Sequence, residues 1–204
     1  MIPARLIRTV PAETDDQVER WWAEACALHP DWEHLTLRDP IDPAKFPTTS
    51  PHWARCTSGA QLAGLVRLEA LWRWGGIYLD SDVEVYRSLQ SLRPVGMFAA
   101  YEDAGVIPDA ILGAIAGHPA IRACLDLAID RLVADQGDWR TRGAWGTGPG
   151  VTTTVLPGRA DVLVLPPAAL YPWHYTEDPP SDRDRFVAEH PWAFCAHHWR
   201  HSWA

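Results

Sequence analysis

Asp80-Ser81-Asp82 is the segment whose residue types and spacing could do chemistry. In an extended chain, residues two apart project from one face, with Cα atoms roughly 6.5 Å apart. Two carboxylates so placed can share one hard divalent cation, directly or through water. Mg²⁺ or Mn²⁺ held this way keeps coordination positions for phosphate oxygens. The pair follows the short apolar stretch Ile77-Tyr78-Leu79, and Gly75-Gly76 ahead of it lets the chain turn sharply out of a helix. Two aspartates at this spacing also describe a solvated acidic turn. The helix, glycine pair and strand before them make the segment a candidate metal site.

Leu79-Asp80-Ser81-Asp82-Val83 also fits the nucleophile motif of a haloacid-dehalogenase-type phosphatase, with Asp80 as nucleophile. That chemistry needs a downstream lysine on the phosphoryl group, and no lysine follows Lys45. A cation partner for the acidic pair comes instead from the preceding helix. Ala60, Ala63, Gly64, Arg67, Ala70, Leu71 and Trp74 form one helical stripe. Leu65, Leu68 and Trp72 occupy another side, so burial is expected nearly all round. Arg67 is the polar exception, and a buried guanidinium needs a partner. A diphosphate or one of the two aspartates would serve, and so would a structural pair with Glu69 or Glu84. Gly64 within a helix costs about 1 kcal/mol against alanine, which marks a close approach of another group.

The elements that must position these residues alternate between strand and helix. Strands are expected at Leu6 to Val10, Leu35 to Leu37, Ile77 to Leu79, Val83 to Tyr86, Val95 to Tyr101 and Asp161 to Leu165. Helices are expected at about Asp15 to Leu28, Gly59 to Trp74 and Pro119 to Ala134. Thr14 with Gln17, and Ser58 with Gln61, stand at capping-box spacing. A proline-rich loop spans Asp39 to Pro51. With no repeat and no linker, residues 1–204 are read as a single α/β domain.

Composition narrows the function. A hydrophobic fraction of 47% with 12 tryptophans excludes a disordered chain. A net charge of −8 with a single lysine disfavours nucleic acid as a partner, so an anionic ligand would need a local arginine or a bound cation. The four cysteines form no CxxC pair, which leaves soft-metal and dithiol chemistry unsupported. No apolar run reaches the ~20 residues of a transmembrane segment, and the amino terminus has no signal-peptide core. A cytoplasmic protein is expected.

The stretch from Ser58 to Leu89 resembles glycosyltransferase family 32, the transferases with a DXD-containing sugar-binding region, and more distantly the large glucosylating bacterial toxins. Arg67, Gly75, Gly76, Tyr78, Asp80 and Asp82 match the family pattern in order and spacing. Gly117-His118-Pro119, Thr147-Gly148-Pro149, Pro166-Pro167, Tyr171-Pro172, His198-Trp199 and Ser202-Trp203 extend the likeness. The family's aspartate three residues before the arginine falls on Gly64, and Asp109 stands where many relatives carry asparagine.

The resemblance implies a GT-A fold, a Rossmann-like mixed sheet flanked by helices. It also implies a retaining transfer from a UDP- or GDP-sugar to a saccharide or small-molecule acceptor, with Mn²⁺ or Mg²⁺ on the diphosphate. Asp82 then ligates the metal, Asp80 sits by the ribose and the metal's water shell, and Tyr78 lies in the strand beneath the nucleotide. Arg67 contacts the donor or orients the acidic pair, and Ser202 and Trp203 cover the diphosphate. The further metal ligand is placed on His198, with His197 as its alternative. Trp145 is the acceptor-side candidate, against a packing role. A nucleotide-sugar binding protein without turnover is the alternative function.

Overall fold

The computed structural model describes residues 1–102, 105–134 and 143–200. In chain order its elements are β1 (Arg5–Val10), α1 (Asp16–Ala27), β2 (Glu33–Arg38), α2 (Gly59–Trp74), β3 (Gly76–Leu79), β4 (Val83–Val85), β5 (Met97–Ala100) and β6 (Ile111–Ala114). There follow α3 (Pro119–Val133), α4 (Gly143–Thr147), α5 (Pro149–Val155), β7 (Leu163–Leu165), α6 (Pro167–Leu170), α7 (Arg183–Glu189) and β8 (Cys195–His197). Among the described residues, no helix is long and apolar enough to cross a membrane.

Six strands form one sheet in the order β2-β1-β3-β6-β5-β7, and β4 with β8 forms a second, two-stranded sheet. The large sheet is mixed. β1 runs parallel to β2 and β3, while β6 runs antiparallel to both β3 and β5. Side chains alternate across a strand, and this alternation sorts the interior into two layers. Ile7, Tyr78 and Leu112 pack with Leu65 and Leu68 of α2 and Leu125 of α3. Leu6, Ile77, Leu79 and Ile111 pack on the other face with Val83, Val85, Leu170 and Cys195. The α/β architecture expected from the sequence is therefore present, as a mixed sheet flanked by helices.

The helix that prepares the site is α2. Ser58 caps it by accepting the Gln61 backbone N–H, and the Gln61 side chain accepts from Thr57 rather than from Ser58. Glu69, fully buried on α2, accepts from the Thr48 and Thr49 N–H groups and the Thr49 hydroxyl. It thereby pins the proline-rich loop and is taken out of reach as a partner for Arg67. At α1 the cap is Asp15, not Thr14. The Asp15 carboxylate accepts from Gln17 and Val18 N–H groups at the positive helix end, and the Thr14 hydroxyl turns to Glu19. Strands β6 and β8 were not anticipated. Each is three or four residues long, too short for a period-two signal to stand out.

Gly64 has the close neighbour its cost implied. A Cβ there would lie 2.7 Å from the Thr147 carbonyl oxygen and 3.0 Å from its hydroxyl. Gly64→Ala removes a helical glycine, worth about 1 kcal/mol, but forces α2 and α4 apart at a backbone contact, costing about 1–3 kcal/mol. The clash dominates, so equilibrium denaturation of Gly64→Ala should give a lower midpoint than the wild type at unchanged slope.

Candidate active site

Two glycines deliver the acidic pair. Gly75 ends α2 at φ 62° and Gly76 opens β3 at φ 127°, values that residues with a Cβ rarely adopt. A side chain at Gly76 would also meet the Arg5 carbonyl at 2.9 Å. At the far end of β3, Asp80 donates its N–H to the Ala110 carbonyl at 2.8 Å, and its own carbonyl accepts from Val83 N–H at 3.1 Å. Asp80 to Val83 is thus a turn rather than the extended segment assumed from the sequence. The bend, not strand alternation, brings the two carboxylates to one side.

Arg67 organises one half of the site. Its Nη2 lies 2.5 Å from Asp80 Oδ1, its Nη1 pairs with Asp109 Oδ2, and its guanidinium carbon stands 4.4 Å from the centre of the Tyr78 ring. Burial alone would lower the guanidinium pKa, but Asp109 and Asp80 raise it, so Arg67 stays charged. Burial raises the Asp109 carboxyl to about 6, with Arg67 opposing. The antiparallel register of Leu79 with Ile111 places the residues before β6 beside Asp80. That is how Asp109 arrives. Tyr78 is fully buried, and its hydroxyl donates to Asp80 Oδ1 at 2.8 Å while accepting from Thr9. Burial pushes the phenol well above its ordinary range, which keeps the donating proton in place.

Asp82 organises the other half. Strand β8 pairs with β4 so that Val83 faces His197. His197 Nε2 is 3.0 Å from Asp82 Oδ1, Arg200 N–H donates to Asp82 Oδ2 at 2.7 Å, and His198 N–H donates to the Asp82 carbonyl at 3.0 Å. Burial would raise the Asp82 carboxyl, yet His197 and these hydrogen bonds hold it at about 2. Burial likewise works against a charged His197, but the Asp82 carboxylate outweighs it and raises the imidazole pKa. The Arg200 side chain reaches Asp15 at 3.0 Å and ties this segment to the start of α1.

Asp80, Asp82 and His197 each present a ligand atom, all within 4.8 Å of one another. Two carboxylates and an imidazole suit a divalent cation that retains open positions. Of the two histidines considered as a further ligand, His197 is the one grouped with the acidic pair. His198, the residue after β8, lies away from the pair, meets Glu84 at 2.9 Å and stacks on Trp21 at 4.2 Å. A cavity of about 510 Å³ lies over the three groups. Arg67, Asp109, Ala60, Ala63, Gly148 and Trp199 are among its walls.

Tyr78, expected at the donor, does not line the cavity; it acts beneath it, through Asp80. Trp145 does not line it either, its ring resting against Gly150. Ser202 and Trp203 lie outside the described residues. Asp109 entered the sequence reading only as a difference from relatives, although a lone acid within Ile107-Pro108-Asp109-Ala110-Ile111 is the kind of buried charge that marks a site.

Residues 12–99 match the family described as glycosyltransferase sugar-binding region containing DXD motif. The fold resembles solved glycosyltransferases at low identity. The PaToxG glycosyltransferase is 18% identical with a TM-score of 0.60, over 76% of this chain and 68% of that one. The glycosyltransferase domain of the YGT toxin is 9% identical with a TM-score of 0.60, over 80% of each chain. The galactosyltransferase LgtC, solved with donor and acceptor sugar analogues, is 14% identical with a TM-score of 0.55, over 96% of this chain and 87% of that one.

Removing the shared cation should expose the interdependence of these groups. Arg67→Met leaves Asp80 and Asp109 with no counter-charge in a buried setting, which should cost about 3–5 kcal/mol of unfolding free energy. Arg67→Met with Asp109→Asn should be less destabilised than the sum of the single changes, by about 1 kcal/mol or more. Urea denaturation of the four proteins measures both.

Proposed function

We propose that this chain, which carries a DXD-type glycosyltransferase sugar-binding region on a GT-A fold, moves a sugar from a UDP- or GDP-sugar to an acceptor hydroxyl with retention of anomeric configuration. The observation that carries the reading is the convergence of Asp80, Asp82 and His197 on one side of an open cavity, with Arg67 beside them. These three residues would hold Mn²⁺ or Mg²⁺. When bound, the ion supplies Lewis-acid neutralisation of the charge that develops on the departing diphosphate. In a carboxylate-lined cavity of a chain of net charge −8, a bound cation together with Arg67 would offset the charge of an anionic donor.

The protein's own groups bind and orient. Tyr78 and Arg67 hold Asp80 in one rotamer, and the β4–β8 pairing fixes Asp82 against His197. In the transfer itself the acceptor oxygen bonds to the anomeric carbon as the bond from that carbon to the diphosphate breaks. The hydroxyl proton leaves with the diphosphate. Asp109, on the cavity wall and paired with Arg67 through Oδ2, is placed to accept hydrogen bonds from the sugar. Thr147 closes off the place beside Gly64 that an aspartate would fill in relatives. The phosphatase reading fits poorly, because Asp80 is engaged by Arg67 and Tyr78 instead of standing free to attack.

UDP and GDP titrated with and without Mn²⁺ test the donor site. One of them should bind at least tenfold more tightly with the ion, and equal affinities for both nucleotides would sink the proposal. Donor hydrolysis or transfer separates an enzyme from a binding protein. Asp82→Asn should lower that turnover about 100-fold or more with the fold retained by circular dichroism, since the ion's contribution amounts to several kcal/mol.

The raised His197 pKa sets the pH dependence of the metal. A proton on the imidazole competes with the ion, so Mn²⁺ affinity should rise from pH 6 to pH 8. Calorimetry in buffers of different ionisation enthalpy should report proton release near the lower end of that range.

A further inference from the structure

Beyond the donor chemistry, one row of aromatic rings leads out of the cavity and has no role in holding the metal or the diphosphate. Trp199 lines the cavity and is the one non-glycine residue at positive φ, 54°, among the described residues. A bulky residue persists in that conformation only where its surroundings fix it. Its ring lies 4.1 Å from His197, 6.1 Å from Tyr171 and 5.9 Å from Tyr175. Tyr171 is buried, whereas Tyr175 is 60% exposed. The row therefore passes from the metal-ligand histidine, through a cavity-wall indole, to a phenol ring open to solvent.

Polar groups stand beside the exposed end. The His174 ring lies tilted against Tyr175 with ring centres 4.0 Å apart, and its Nε2 lies 3.4 Å from Glu102 Oε1. Glu102 follows β5 and opens the loop that runs to Pro108, Asp109 and Ala110 on the cavity wall. The His174–Glu102 contact thus joins the aromatic segment to the residues that follow β5. Among the described residues, Trp192, the other exposed aromatic residue of this region, has a ring contact only to His190 and none to a cavity-lining residue.

We propose that Tyr175 and Trp199, with His174 at their side, form an acceptor subsite for a saccharide. A pyranose has an apolar face of C–H bonds and an equatorial rim of hydroxyls. Its face packs on an aromatic ring with little entropic cost to a side chain of two rotatable angles, and its rim needs planar polar groups close by. An exposed ring against the cavity-wall indole, edged by a part-exposed imidazole, offers both. A protein acceptor would instead need an interface of about 1,000 Å² or more, which a single exposed ring does not supply. This inference rests on the transferase reading, because only a donor in the cavity makes the rim an acceptor site.

Saturation-transfer NMR tests it on the whole chain with Mg²⁺ and UDP or GDP, in the presence of cellobiose, maltose or lactose. At least one disaccharide should receive saturation on the C–H protons of one ring. That signal should fall at least threefold in Tyr175→Ala and be kept in Tyr175→Phe, which retains the aromatic face. A nucleotide signal without any disaccharide signal overturns the acceptor subsite alone, and so does a disaccharide signal of equal size in Tyr175→Ala. Absence of both signals overturns the donor site and the acceptor subsite together. A disaccharide signal without a nucleotide signal leaves the sugar-binding surface and removes the donor reading.

Discussion

A single buried cation sets the terms for the rest of this structure. Arg67 lies between Asp80 and Asp109 over the face of Tyr78. An uncompensated carboxylate in such a setting would take up a proton or pull the segment toward solvent. With the guanidinium in place, two acids can share one wall of a cavity. The third acid, Asp82, is balanced separately by His197. The site is therefore two halves, one around Arg67 with Asp80 and Asp109 and one around Asp82 with His197, joined by a one-residue spacer, Ser81.

Each half depends on a different part of the fold. The Arg67 half is built from α2, β3 and the start of β6, all anchored in the large sheet and its helical layer. The Asp82 half is built from β4 and β8, the small sheet that the carboxy-terminal part of the chain completes. Because β8 reaches back across more than a hundred residues to pair with β4, the second half forms only when most of the chain has folded. Arg200 then links it to the cap of α1. A divalent ion bound by Asp80, Asp82 and His197 would draw on both halves, which couples occupancy of the site to the docking of that last segment.

Close packing explains the glycines that surround this centre better than flexibility does. Gly75 and Gly76 are held at positive φ by the reversal from α2 into β3. Gly64 lets α4 approach α2, and Gly148 leaves room for the Asp109 carboxylate, whose oxygens would stand 3.0 and 3.1 Å from a Cβ placed there. The two small residues in effect choose which acid faces the cavity. An aspartate is excluded at position 64 by Thr147, and one is accommodated at position 109 by Gly148.

The sequence by itself determined the elements around α2 and β3, the acidic pair and the arginine that meets it. These are encoded locally. Capping residues, helical periodicity and a glycine pair act within a few residues of the groups they place, so Gly59 to Asp82 could be read almost as it folds. Only the tertiary structure decided what completes the site. Asp109 comes in through the antiparallel register of β6 against β3, and His197 is brought beside Asp82 by the register of β8 against β4. Neither strand has enough residues for a pattern of its own, and their partners lie dozens to more than a hundred positions away. Register between distant strands is settled by the packing of the whole chain, and a single residue's slip in it exchanges one histidine for the next.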